Sequence, residues 1–131
     1  MTMYEMKPEY FTGIDFIDEE HTKLFAIANE CYDLLTNQFI EDKYDYILKV
    51  INDLKEYTKY HFNHEEEYMK SIGCKKFLSQ KVAHNDFIEK INSIDSLHID
   101  ADQKDALLQL LDFLTTWLVE HILKQDTLIG K

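Results

Sequence analysis

Residues 41–70 read EDKYDYILKVINDLKEYTKYHFNHEEEYMK, and the apolar positions Ile47, Ile51 and Leu54 recur at steps of three and four. That period is helical; a half-buried strand would alternate every second residue. Continued toward the C-terminal end, the same stripe reads Thr58, His61, Glu65. An inward-facing stripe that turns from apolar to metal-ligating residue types needs something to satisfy them, because buried polar groups without partners are costly.

The same pattern recurs on either side. A first helix over residues 18–37, with Asp18 as N-cap and Glu19 and Glu20 in its first turn, carries the stripe His21, Leu24, Ala28, Cys31, Leu35. Gly73 marks the turn after the second helix, and a third over 75–94 carries Phe77, Gln80, His84, Phe87, Ile91 and Ile94. A fourth, over 101–124 and capped by Asp100, carries Leu107, Leu110, Leu114, Trp117 and His121, flanked by Leu111, Leu118 and Ile122. Short connections between long helices favour antiparallel neighbours. The expected fold is therefore all-α: one domain over residues 1–131, an up-down-up-down four-helix bundle with an N-terminal extended arm.

In that bundle the polar interruptions fall together. His21 opens the first helix, His61 and Glu65 close the second, Gln80 and His84 open the third, and His121 closes the fourth. All four places lie at one end, where chance would scatter them over both. His61 and Glu65 are four residues apart, about 40° around a helix, and so are Gln80 and His84. His121 and Asp126, five apart and about 140° around an ideal helix, converge only where the helix ends or widens into a π-turn.

The donors are nitrogen and oxygen without thiolate, which suits iron, manganese or zinc and argues against copper(I) or an iron–sulfur cluster. Four imidazoles exceed most mononuclear sites, and two carboxylates suffice to bridge two metals, so a dinuclear centre is the preferred reading. No glutamate has a histidine three residues later, which excludes the ferritin-like di-iron class with its paired Glu-x-x-His.

Composition narrows the rest. The net charge is −11 and all 14 basic residues are lysines, so the basic footprint of a nucleic-acid binder and the bidentate arginine clamp are both missing. No nucleic-acid or membrane partner is expected. No stretch reads as apolar for long enough to span a bilayer, and the opening MTMYEMKPEYF lacks the pattern of a signal peptide, so a cytoplasmic location is expected. Cys31 and Cys74 form no CxxC motif, and Cys31 falls on an apolar stripe. His64 reads as a boundary histidine, His98 as a solvated one in the connection before the fourth helix, Glu66 and Glu67 as a solvated face, and Trp117 as core.

At this point the residues resemble a family. The stretch from Gly13 through Asp18 and His21 to Leu24 looks like the first-helix motif of bacterial hemerythrins. His61-Phe-Asn-His-Glu65-Glu-Glu-Tyr-Met69 resembles their H-F-x-x-E-E-x-x-M segment, and His84-Asn-Asp-Phe87 and Trp117-Leu-Val-Glu-His121-Ile-Leu-Lys-Gln-Asp126 match the third and fourth motifs. The resemblance implies two iron ions in a non-haem centre with an oxo or hydroxo bridge, binding dioxygen reversibly for carriage, storage or sensing. It implies that Glu65 and Asp126 bridge, that His21 and His61 hold the iron with the open position, and that His84 and His121 hold the other. Leu24, Phe62, Leu118 and Ile122 match positions around the dioxygen pocket.

The departure is Gln80, where the family pattern has a histidine. Its amide oxygen either coordinates weakly or leaves the place to a water. That opening keeps two alternatives in view: a di-iron enzyme reducing peroxide, nitric oxide or dioxygen, and an iron buffer. The balance of the sequence favours a binding protein over an enzyme.

Overall fold

A computed structural model describes residues 4–94, 99 and 101–129. The described helices are α1 (Asp15–Thr36), α2 (Tyr44–Ser71), α3 (Phe77–Asn92) and α4 (Gln103–Lys124), with short 3-10 turns at Pro8–Tyr10 and Asp126–Leu128. There is no strand among the described residues. α1 packs on α2 and α4, and α2 packs on α3 and α4, which makes the expected four-helix bundle.

The apolar stripes meet along the bundle axis. Leu24, Ile27, Ala28 and Cys31 of α1 face Ile47, Ile51 and Leu54 of α2, Phe87 and Ile91 of α3, and Leu107, Leu110, Leu114 and Leu118 of α4, all buried in one cluster. Cys31 is free and wholly buried, and burial pushes its thiol up to about 12, so it behaves as a small core residue. The N-terminal arm is tied to α1 by a reciprocal pair: Asn29 Oδ1 accepts from the Tyr4 amide at 2.7 Å, and Asn29 Nδ2 donates to the Tyr4 carbonyl at 2.6 Å. Tyr10 then stacks on Phe25 with ring centroids 5.6 Å apart.

Helix ends differ from the sequence expectation where side chains compete for the backbone. α1 begins at Asp15, so Asp18 lies inside its first turn and is not the N-cap. Asp18 instead accepts from the Thr12 amide (2.8 Å), the Thr12 hydroxyl (2.9 Å) and the Gly13 amide (3.2 Å), fastening the entering chain to the positive helix end. α2 starts three residues later than 41 because Gln103 of α4 captures the Lys43 amide at 2.7 Å. The cap of α4 is Asp102, which accepts from the Asp105 amide; Asp100 lies outside the described residues, as does His98.

The α2–α3 turn explains Gly73. Its φ is +65°, and the Cys74 amide bonds the Met69 carbonyl at 2.9 Å while the Gly73 amide bonds that of Lys70 at 3.2 Å. That pair of bonds is a Schellman closure, which requires a left-handed residue at this place. The turn reverses the chain within a few residues, so that the end of α2 and the start of α3 lie side by side.

One sequence reading is corrected by α4. Gln103–Leu128 is long and apolar enough, by length and composition, to cross a membrane. In this fold Leu107, Leu110, Leu111, Leu114, Leu118 and Ile122 are buried in the bundle core, which accounts for the helix's apolar character without a bilayer.

Candidate metal centre

At the end of the bundle where α2 finishes and α3 begins, the core becomes polar. His21, His61, Glu65, Gln80, His84, His121 and Asp126 are all buried. His21 comes from the first third of α1, His61 and Glu65 from the last turns of α2, Gln80 and His84 from the first turns of α3, and His121 from the end of α4. Asp126 reaches the cluster because α4 stops at Lys124 and Gln125 turns the chain (φ −122°, ψ −61°) into a 3-10 turn. The helix end required by the five-residue spacing is present.

Two four-residue groups result. His21, His61, Glu65 and Asp126 bring four ligand atoms within 4.8 Å of one another, and so do Glu65, His84, His121 and Asp126. The two carboxylates belong to both groups and the imidazoles divide two and two. His21 Nε2 lies 2.9 Å from Asp126 Oδ2, His121 Nε2 lies 3.1 Å from Asp126 Oδ1, and His84 Nε2 lies 3.1 Å from Glu65 Oε1. His61 Nε2 is 3.5 Å from Glu65 Oε2.

These atoms are close but not mutually satisfied. His21 Nε2, His84 Nε2, His121 Nε2, both Glu65 oxygens and Asp126 Oδ2 are buried without a hydrogen bond of proper geometry. Six orphaned donors and acceptors converging on one volume are the expected signature of a cation site, since native cores otherwise pair such atoms. The donor set and its burial fit a metal centre.

Electrostatics agree. Burial depresses the basicity of His61. It also drives His84 down to about 3, helped by the facing His121. Both rings are therefore neutral at physiological pH, as a ligating imidazole must be. Burial and the adjacent Asp126 carboxylate push Glu65 well above the usual carboxylate range. Burial acts upward on Asp126 too, but the facing imidazoles of His121 and His21 outweigh it and hold Asp126 well below its ordinary value. In the absence of a cation the pair thus keeps one proton, on Glu65, because two like charges this close resist ionising together.

Gln80 is buried against the second group. Its Nε2 donates to Asp126 Oδ1 at 2.9 Å, while its Oε1 has no partner. Aromatic rings clamp two imidazoles: Phe62 stacks on His84 at 4.0 Å, and Trp117 stacks on His121 at 4.3 Å. Leu24, Phe62, Leu118 and Ile122 are all buried in the apolar cluster that adjoins the site.

Two residues that the sequence reading set aside touch the site. Glu66, expected on a solvated face, accepts from His84 Nδ1 at 2.8 Å, while Glu67 is exposed as expected. Glu66 follows Glu65 directly, so it points about 100° away around the helix, and periodicity gave no hint of it. Glu20, read only as a first-turn acid, is buried and bonds His61 Nδ1 at 2.7 Å and His64 Nδ1 at 2.6 Å. A signal for Glu20 did exist: it occupies the helical series Ile17, Glu20, Leu24, Ile27, whose other members are core. His64 is 41% exposed in its side chain and joins neither ligand group.

Comparison with known proteins gives this geometry its context. The hemerythrin HHE cation binding domain pattern matches residues 12–131. The bacteriohemerythrin of Clostridium acetobutylicum is 49% identical over 124 residues, covering 95% of this chain and 96% of that protein. The myohemerythrin of Theromyzon tessulatum is 30% identical over 123 residues, covering 94% and 88%. A solved structure of a leucine-to-phenylalanine mutant protein superposes with a TM-score of 0.77 over 99% of this chain and 96% of its own, at 24% identity, a likeness of fold alone. With a cation-binding pattern spanning the bundle and the ligand types gathered at one end of it, the chain belongs to the hemerythrin family.

Proposed function

We propose that this chain is a non-haem di-iron protein that binds dioxygen reversibly. The observation that carries the reading is the pair of four-residue groups sharing Glu65 and Asp126, an arrangement that suits two ions side by side. His21 and His61 would hold the first iron, His84 and His121 the second, and the two carboxylates would span both. When bound, a ferrous pair supplies the electrons that dioxygen takes up and returns on release.

The chain's own residues account for the reversibility. Leu24, Phe62, Leu118 and Ile122 present apolar side chains in the buried cluster that adjoins the site, a lining that offers neither a hydrogen bond to water nor a proton donor. Exclusion of water strengthens every electrostatic contact inside and blocks the proton leakage that would convert binding into oxidation. Gln80 holds Asp126 by a hydrogen bond at 2.9 Å, which fixes the carboxylate's orientation; having no ring nitrogen to offer, Gln80 would leave the second iron with two imidazoles.

The test is direct. The reduced, iron-loaded protein should contain two irons per chain and develop a visible charge-transfer band in air that disappears when oxygen is removed. One iron or fewer per chain, or immediate passage to the ferric state with no reversible band, would overturn the proposal.

A further inference from the structure

Each half of the centre contains one imidazole whose outer nitrogen is held by a carboxylate. His61 Nδ1 meets Glu20 Oε1 at 2.7 Å, and His84 Nδ1 meets Glu66 Oε2 at 2.8 Å. An ionised carboxylate can only accept a hydrogen bond, so each ring must carry its proton on Nδ1. The lone pair is then on Nε2, the atom that faces Glu65 in both cases. We propose that Glu20 and Glu66 are the positioning residues of the centre, one for each metal, fixing the tautomer and aim of His61 and His84. The inference rests on the metal-binding reading above.

Several observations support the assignment. Glu20 comes from α1 while its histidine is on α2, and Glu66 comes from α2 while its histidine is on α3. Each bond therefore joins two helices and locks a ring across an interface. Glu20 cannot rotate away, because its other oxygen is held at 2.6 Å by His64, whose ring lies 4.2 Å from Phe16. His84 is further fixed from its face by Phe62. A carboxylate on the outer nitrogen raises the basicity of the inner one toward a metal, and loss of such a partner typically costs 10–100-fold in affinity.

The role predicts a pattern that a general packing defect would not give. Zinc(II) titration of the metal-free parent should show uptake of two ions. Glu66→Ala should weaken one of the two by about 10–100-fold and leave the other unchanged; Glu20→Ala should do the same to the other ion. Glu20→Gln and Glu66→Gln keep an acceptor on the ring and should return to within about fivefold of the parent. Long-range proton–nitrogen NMR of the metal-free parent should find His61 and His84 protonated on Nδ1. Because Glu66 is partly exposed, its alanine variant folds even if that of Glu20 does not, and the parent's NMR needs no variant. Protons on Nε2 in the parent, or affinities in Glu66→Ala equal to the parent's at both ions, would overturn the assignment. A parent that takes up no zinc would instead overturn the metal reading, while leaving the tautomer result to stand by itself.

Discussion

The low basicity of His84 makes the stability of the metal-free protein depend on pH in a calculable way. Folding buries this imidazole and lowers it from 6.5 to about 3. The folded protein therefore takes up the His84 proton less readily than the unfolded chain. Stability is unaffected by this group above pH 6.5, declines as pH falls through 6.5, and stops declining near pH 3. At pH 5.0, which lies 1.5 units below the unfolded value of 6.5, the unfolded histidine is protonated and the folded one still neutral, so His84 alone costs about 2 kcal/mol relative to pH 7.5. Glu65 acts with the opposite sign, since its raised basicity favours the folded state as pH falls. His84→Gln removes the first contribution and keeps the second. Urea unfolding of metal-free parent and variant at pH 7.5 and 5.0, followed by far-ultraviolet circular dichroism, reads the difference. The parent should lose about 2 kcal/mol more than the variant between the two pH values. Parallel losses would mean that His84 is not held neutral by burial, and the electrostatic account of the site would fail with it.

Gln80→His places a third nitrogen beside the second metal position and should slow both iron loss to a chelator and spontaneous oxidation; a variant matching the parent in both would show that Gln80 does not open that position. Leu118→Ala, in the buried apolar cluster that adjoins the site, should cost about 2–5 kcal/mol of stability and speed oxidation of the oxygenated protein, measured by decay of its visible band; unchanged decay would refute water exclusion by this wall. Asp126→Asn should reduce iron content below two per chain by metal analysis, since a carboxylate common to both groups is lost; full loading would remove Asp126 from the ligand set.

Much of this was legible from residue spacing. The period of three and four fixed the helices, and the end-by-end placement of His21, His61, Glu65, His84 and His121 located the site, because a stripe reports which residues share a face. Asp126 was legible only conditionally, since its angle around the helix depends on where α4 stops. What spacing could not report were contacts made across helices by residues off the stripe. Glu66 belongs to this class: its carboxylate reaches a ring on α3, and that reach depends on helix separation and rotamer, neither of which is encoded in period. The helix starts were misread for a related reason. Asp18 has the chemistry of an N-cap, but Thr12 and Gly13 compete for its oxygens, and a local propensity yields to a nearby donor.

On the proposed reading, charge favours two divalent ions over one. Glu65 and Asp126 face the centre, and Glu20 and Glu66 lie directly behind two of its imidazoles. With all four ionised and the four histidines neutral, this end of the core holds three buried negative charges, and the partly exposed Glu66, which feels Lys81 and Lys70, adds a fourth at its rim. One divalent ion would leave a buried charge uncompensated in a medium where buried charge is strongly penalised. Two divalent ions bring the sum to zero without drawing on solvent. Without metal the protein approaches the same balance by the means left to it, keeping a proton on Glu65, and a single proton is a poor substitute for four positive charges. On the proposed reading metal binding would be coupled to folding: the cations would complete a charge balance that the helices alone leave open.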